Sequence, residues 1–495
     1  MLSIVIGGQA GQGPNAIAHI VGSVLAKWGY YVFVSRDYGS FIRGGHNANF
    51  LTISECQIMS NVRKIDVLVS LDKNTKIIHK DNLSKRSVNV EAEGENNMYF
   101  AGRLVKMMGV EFKILEEELK KLKNFEVNLR AAKKGYEFER DKFKLPRLSQ
   151  KIHLANGSEG AAEGAIKSGL DVYYAYPMTP ATPLLNELAE RQLLSNYFVF
   201  EMESEIGAVN AAIGSAITGA KAMVGTSGGG FDLMTEAVSL AGMAEVPIVT
   251  YLAQRPGPST GVPTYTSQGD LNMARHCGHG EFPRVVSAPG EPVECAELTS
   301  QAFYLSQKYK VPAIIISDKH LAESLYAVSE SPIITPSEKS AVLKKYNSYE
   351  HDLRGLAVED AVSINKNFER RMQKQIDIEA EAEKFRMFKI YGEEKSKNLI
   401  LFWGSTKGAV LDALKSVNAR ALQVLYMEPF SQKIKNEIEK ARNVFVVENN
   451  ATSQLSQLVA EKTGFLIPEK NRILKYDGRP FLSDELAVEL KRRMR

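Results

Sequence analysis

Residues 173–180 read YYAYPMTP. Four residues of strand character, 173–176, run into Pro177 and Pro180, whose rings fix the backbone on either side of Thr179. A strand closed this sharply, with a helical pattern resuming beyond it, is the strand–turn–helix unit of an open parallel sheet. The unit repeats: 198–201, 222–225, 246–253 and 311–317 are short apolar runs closed by polar, Gly or Pro turns, while 204–218 and 231–244 carry small and apolar residues at helical spacing. Strands apolar on both faces predict a buried parallel sheet. Such sheets bind ligands beyond the carboxyl ends of their strands, so the loops at four successive strand ends become the candidates.

Outward from this stretch the pattern changes twice. Upstream, 2–6 reads as a strand, followed by a glycine turn, a helix over about 14–28 and a strand over 30–35, a βαβ opening that the apolar segments 65–70 and 99–108 continue. The Lys- and Arg-rich stretch 128–151 reads as a linker. Downstream, 331–397 is charged, with an exposed helix expected in NKNFERRMQKQIDIEAEAEKFRMF, and strands at 398–403, 422–427 and 443–448 open a third unit. The expectation is therefore an α/β protein of three doubly wound units, divided as 1–128, a linker at 129–151, 152–330, a charged connection at 331–397, and 398–495.

Composition bounds the function. A chain of 495 residues, 44% hydrophobic and 24% charged, has the balance of a folded multidomain protein. A formal net charge of +4 gives no global attraction to nucleic acid or to an anionic membrane. No apolar stretch reaches the roughly 18 residues of a membrane span, and MLSIVIGGQAGQGPN has no charged leader, so a cytosolic location is expected. Cys56, Cys277 and Cys295 are scattered without a CxxC pair, so any iron–sulfur cluster is expected on another chain.

The loops offer specific chemistry, each with a plainer alternative. Gly8, Gln9, Gly11, Gln12 and Gly13 leave a strand and enter a helix, where backbone N–H groups can cradle a phosphate; the glycines alternatively just allow a tight turn. The cluster lacks both the GxGxxG spacing and the Lys-Ser or Lys-Thr of a P-loop. Arg43-Gly44-Gly45-His46 is a second polar loop, facing a ligand or a subunit interface. Thr179 is held rigidly beyond its strand, or caps the next helix. Glu205 falls in a helix's first turn, where the dipole favours a carboxylate with or without a functional role. Ser227 and Gly228 lie in the backbone-rich turn TSGGG, 226–230. Arg255, ahead of Pro256 and the loop that reaches Thr260, suits bidentate capture of a carboxylate, or else forms a surface salt bridge. Gln268-Gly269-Asp270 and His279 extend the same region.

In this order the motifs YPMTP, the Glu203–Glu205 pair, TSGGGFDLM, EVPIV, QRPGPSTG, QGDLNMA, HGEFPR and VVENN resemble the α subunit of the 2-oxoacid:ferredoxin oxidoreductases, over nearly the whole chain. GGQAGQG and RGGHN resemble that family's γ unit, fused ahead of α. Met178, Ala181 and Thr182 depart from the commoner YPITPSS form. The resemblance implies a γ-like domain, a thiamine-diphosphate pyrimidine-type domain and a small C-terminal domain like that of transketolases. It implies that Glu205 meets the aminopyrimidine of thiamine diphosphate and helps move its proton, that Pro177, Ser227 and Gly228 line the cofactor, and that Thr179, Arg255 and Thr260 hold the 2-oxoacid. CoA or another phosphate would sit at the glycine turn. With no GDG metal loop here, the resemblance places the diphosphate, its Mg²⁺ and a [4Fe–4S] cluster on a β subunit, in an (αβ)₂ heterotetramer that reduces ferredoxin.

The implied reaction converts a 2-oxoacid, CoA and oxidised ferredoxin to acyl-CoA, CO₂ and reduced ferredoxin, or runs in reverse. The γα fusion leans toward 2-oxoglutarate, with pyruvate or a broad range as alternatives. Two other classes compete: a nicotinamide- or flavin-binding oxidoreductase with Asp37 on the ribose, and a noncatalytic assembly subunit.

Overall fold

The stretches VTYLAQ (Val249–Gln254) and AIIISD (Ala313–Asp318) are buried at every residue, as strands covered by helices on both faces must be. They lie at the centre of the largest sheet. The computed structural model describes residues 1–40, 44–92, 94–340 and 345–494, so Arg43 of the second polar loop falls outside the described residues. The chain is α/β, and its contacts group it into two compact units, one of 1–156, 323–330 and 481–490, the other of 157–322, 331–480 and 491–495.

The first unit is built on β1 (Leu2–Ala10), β2 (Tyr31–Asp37), β3 (Gly44–Ser54), β4 (Ile65–Ser70) and β5 (Leu83–Glu91), in spatial order β2-β3-β1-β4-β5. β1, β4 and β5 are parallel, but β3 runs antiparallel to both β1 and β2, so the sheet is mixed rather than purely parallel. β3 includes Gly44, Gly45 and His46, which the sequence suggested as a loop. A two-stranded antiparallel sheet of β6 (His153–Ala155) and β13 (Tyr326–Val328) completes the unit.

The expected linker is a correction. Its first part belongs to the helix Phe125–Phe138, which packs on the helix Asn97–Met107. A Cβ on Gly102 would strike the Ala132 carbonyl, and one on Gly135 the Tyr99 carbonyl, so the two backbones touch directly. Small residues at these two positions are what let a sparsely apolar helix dock.

In the second unit, β7 (Val172–Ala175), β8 (Phe198–Glu201), β9 (Ala222–Thr226), β10 (Val249–Gln254), β11 (Val285–Ser287) and β12 (Ala313–Asp318) form a parallel array in the order β11-β12-β10-β9-β7-β8. A second sheet combines β14 (Phe388–Gly392), β15 (Asn398–Phe402), β16 (Arg420–Val424), β18 (Asn443–Glu448) and β19 (Arg472–Leu474), as β14-β16-β15-β18-β19. The single strand expected at 422–427 is two. β16 ends at Val424, and β17 (Tyr426–Glu428) crosses over to pair antiparallel with β11 of the first array. One core therefore lies under both sheets, with Trp403, Leu422 and Met427 joining Val286 and Ile314. The charged connection contains the expected helix, Ala361–Ala382, and the strand β14 that its charge had hidden.

Candidate active site at four strand ends

β8, β7, β9 and β10 are neighbours and parallel, so their carboxyl ends open on one edge. The loop after each end carries one group of the site.

After β7, Pro177 and Thr179 are half-buried, and the helix beyond begins at Thr182 with Ala181 as an N-cap that makes no side-chain hydrogen bond. Thr179 therefore does not cap it. The Thr179 carbonyl instead accepts a 2.7 Å hydrogen bond from Nη1 of Arg255, which follows β10. Arg255 forms no ion pair with any described residue, so it is not a surface salt bridge, and its Nε is buried without a partner. Burial lowers the guanidinium from its ordinary pKa against the opposing pull of Asp270 and Glu205.

Glu205 opens the helix Glu205–Ile217, behind a Ser204 N-cap whose hydroxyl accepts the Gly207 N–H at 3.1 Å. Its side chain is only 5% exposed and makes no hydrogen bond to a described residue. The helix N-terminus favours the charge, but an unpaired buried carboxylate remains costly. Space for it comes from Gly230: a Cβ there would lie 2.7 Å from the Glu205 Oε1 and would collide with the Thr226 hydroxyl.

After β9, Ser227 is fully buried and its Oγ has no partner, although it precedes the helix Gly228–Ala244. Gly228 faces Asp270, whose Oδ2 would be 2.5 Å from a Cβ at that glycine and is itself buried without a partner. The loop holding Asp270 is fixed by Gln254, whose Oε1 accepts the Asp270 N–H at 2.9 Å and whose Nε2 donates to the Ser317 carbonyl at 3.0 Å. Gln268 ties it further, donating to the Trp403 carbonyl at 2.8 Å and accepting the Asn449 N–H at 2.9 Å. Glu448 of VVENN is buried with Trp403, Asn450 and Ser453 as donors, which accounts for that motif structurally.

The structure thus brings together Thr179, Glu205, Ser227, Gly228 and Arg255. Thr260 stays exposed in the loop beyond and makes no hydrogen bond to this group among the described residues. His279 is engaged through its carbonyl, which accepts the Ser239 hydroxyl at 3.0 Å. Sequence reasoning treated Gly230 only as part of a backbone-rich turn and Asp270 only as part of a loop. A helix opening with three glycines gives up about 1 kcal/mol per residue relative to alanine, and that expense was the available signal that something approaches closely.

The glycine turn of the first unit differs from expectation. β1 runs on to Ala10 because β3 pairs with it, so Gly8 lies opposite Asn47 and Gln9 at the register shift, within the strand. Only Gly11, Gln12 and Gly13 form the turn, with Gly11 and Gly13 at positive φ. Gln12 closes it, its Oε1 accepting the Gln9 N–H at 2.7 Å, and lines a cavity of about 550 Å³ together with Ser70, Lys73, Lys76, Glu95 and Asn97. Asp37 ends β2, which is separated from β1 by the antiparallel β3; a dinucleotide fold needs its acidic strand parallel to and beside β1. The nicotinamide reading fails there. His46 lies with Nε2 2.9 Å from that of His79, whose pKa is lowered to about 4 by burial and then by His46.

With this geometry in hand, comparison with known proteins decides the family. The profile described as pyruvate flavodoxin/ferredoxin oxidoreductase, thiamine diphosphate-binding, matches 163–391, and the profile of pyruvate ferredoxin/flavodoxin oxidoreductase matches 3–90. The α subunit of a 2-oxoacid:ferredoxin oxidoreductase from a Sulfolobus species is 30% identical, the alignment covering 99% of this chain and 96% of the relative. The chain belongs to the 2-oxoacid:ferredoxin oxidoreductase α subunits. The 2-oxoglutarate synthase subunit KorA of Archaeoglobus fulgidus is 33% identical across 61% of this chain and 88% of its own. A solved 2-oxoglutarate:ferredoxin oxidoreductase from Magnetococcus marinus, with 2-oxoglutarate, coenzyme A and succinyl-CoA bound, superposes with a TM-score of 0.88 over 100% of this chain and 99% of that one at 23% identity, which is a likeness of fold. As a member of this family the chain is an oxidoreductase subunit, and no helix among its described residues is long and apolar enough to cross a membrane.

Proposed function

We propose that this chain forms the substrate-carboxylate and proton-handling side of a shared active site for CoA-dependent oxidative decarboxylation of a 2-oxoacid, or its reverse. One observation carries the reading. At the ends of β9 and β10 the Ser227 hydroxyl, the Asp270 Oδ2 and the Arg255 Nε are all buried without partners among the described residues, beside a Glu205 carboxylate that none of these residues hydrogen-bonds. Buried polar atoms are almost always paired, so this cluster is shaped for a polar ligand.

The donor set fits thiamine diphosphate, which when bound supplies a ring able to stabilise negative charge on the substrate carbon. Glu205 would hold and return the proton of its aminopyrimidine, Pro177, Ser227 and Gly228 would border the ring, and Arg255, anchored on Thr179, would orient the 2-oxoacid by its carboxylate, with Thr260 at the mouth. A β subunit would carry the diphosphate, Mg²⁺ and [4Fe–4S] cluster and pass electrons to ferredoxin, in an (αβ)₂ assembly. The first unit would be the fused γ-type domain, with CoA at the turn of Gly11 to Gly13 and the adjacent cavity. 2-Oxoglutarate is the favoured substrate because relatives and the solved structure carry its name.

The test is Glu205→Gln in the complex purified with its partner. An amide keeps the shape and loses the basic charge, so turnover should fall about 10² to 10⁴-fold while the complex still assembles. Deuterium exchange at C2 of bound thiamine diphosphate should slow in parallel. Unchanged exchange removes Glu205 from the role; full activity without Glu205 and Arg255 would favour an assembly subunit instead.

A further inference from the structure

Of the polar groups at this edge, Asp270 is the one that neither the family likeness nor the proposed roles employ. It is also the worst placed for a permanent negative charge. Its Oδ2 is buried without a partner, pressed against the Gly228 backbone, while its own N–H is committed to Gln254. The charges that act on it come from two directions: Asp232, on the helix Gly228–Ala244, repels it, and Arg255, beyond β10, attracts it without forming an ion pair; Glu205 acts on the same Arg255. The Arg255 Nη1 that might have neutralised it is turned to the Thr179 carbonyl. Among the described residues, Arg255 acts on the charge only at a distance, and no donor pairs with the Oδ2.

Resting on the reading of Arg255 as the carboxylate anchor, we propose that Asp270 is a substrate-binding residue that takes the 2-oxoacid in its protonated form, taking up one proton as the substrate's carboxylate docks on Arg255. A neutral carboxylic acid can donate a hydrogen bond to an incoming oxygen, whereas a carboxylate beside Arg255 would compete with the substrate for the guanidinium and repel its charge. The surroundings favour the neutral form even before the ligand arrives: burial first, then Asp232, push Asp270 up to about 6, with Arg255 opposing. A second carboxylate on Arg255 removes that opposition and raises it further. The proton comes from solvent, and no bond other than the O–H is made or broken.

The sign is definite. Above pH about 6 the free enzyme loses the proton that the bound state needs, so KM for every 2-oxoacid should climb with pH, by tenfold or more between pH 6 and 8, while kcat changes less. Asp270→Asn, neutral at all pH values and still a donor, should flatten this dependence and bind better than wild type at pH 8. A second readout needs no turnover: calorimetric titration of the complex with oxamate, an unreactive isostere of pyruvate, in buffers of different ionisation enthalpy should show close to one proton taken up at pH 7.5 in wild type and none in Asp270→Asn. Equal proton uptake in the two proteins, or a KM profile unchanged by the substitution, overturns the role of Asp270. The underlying reading fails separately: if Arg255→Lys leaves oxamate and 2-oxoacid binding intact, the carboxylate site lies elsewhere.

Discussion

Arg255 shows how a single residue's partners decide what it can do. Its Nη1 is committed to the Thr179 carbonyl while its Nε has no partner among the described residues, so the guanidinium is aimed before any ligand arrives. Holding a long side chain in place in advance removes part of the entropy cost of binding. Arg255→Lys keeps the charge but cannot both reach Thr179 and present a fork. Losing a charge-assisted contact of this kind costs on the order of 1.5 to 3 kcal/mol. KM should therefore rise about 10- to 150-fold, by similar factors for pyruvate and 2-oxoglutarate, since both carry the carboxylate in question. A loss confined to 2-oxoglutarate would mean that Arg255 reads the distal carboxylate. Glu205, Arg255 and Thr179 were legible in the sequence because each directly follows a strand, and strand ends converge in a parallel sheet. Asp270 was not, because its importance comes from Gly228, 42 positions earlier in the chain, and from a bond to Gln254 that only folding creates.

At the scale of elements, β7, β9 and β10 were readable because burial on both faces writes an unbroken apolar run, while the exposed β8 was readable from its aromatic and β-branched residues, β3 begins with glycines and polar residues and β14 sits in a charged segment. The helix Phe125–Phe138 was hidden for a related reason. Its surface is mostly Lys, Arg and Glu, and the face that docks is marked by alanine and glycine rather than by large apolar side chains. That contact makes a sharp prediction. In an exposed helix, Gly→Ala gains about 1 kcal/mol from backbone propensity. At Gly135 the new methyl would meet the Tyr99 carbonyl and force the helices apart, and overpacking of this kind typically costs about 1 to 3 kcal/mol. Gly135→Ala should consequently lower the melting temperature of the first unit, and Gly102→Ala should do the same through the Ala132 carbonyl. A gain in stability for either variant would show that the helices do not touch as described.

For the whole molecule, the proposed reading divides the site between this chain and a β subunit. The elements that bear it leave large apolar side chains in solvent: Tyr176 after β7, Phe198 and Phe200 on β8, Ile206 beside Glu205 and Leu233 on the helix after β9, with Phe198 67% exposed. β8 is also the last strand of its sheet, with a free edge. Apolar side chains grouped near a polar cluster and a free sheet edge suit the β-subunit contact that the proposed reading requires. The three cysteines cannot supply a cluster either, since Cys277 and Cys295 are buried singly and Cys56 lies alone at the surface. On the proposed reading, electrons leaving the substrate carbon pass to a carrier on the β subunit. The purified chain by itself should be colourless, contain no iron and show no 2-oxoacid-dependent reduction of ferredoxin or of an artificial acceptor. Co-expressed with the subunit it pairs with, it should elute near the mass of an (αβ)₂ assembly, absorb visible light and turn over. Iron analysis, absorbance and 2-oxoacid-dependent acceptor reduction on the two preparations check this directly, and a brown, active preparation of the single chain would mean that the catalytic centre is complete here and that the division of labour proposed between the subunits is wrong.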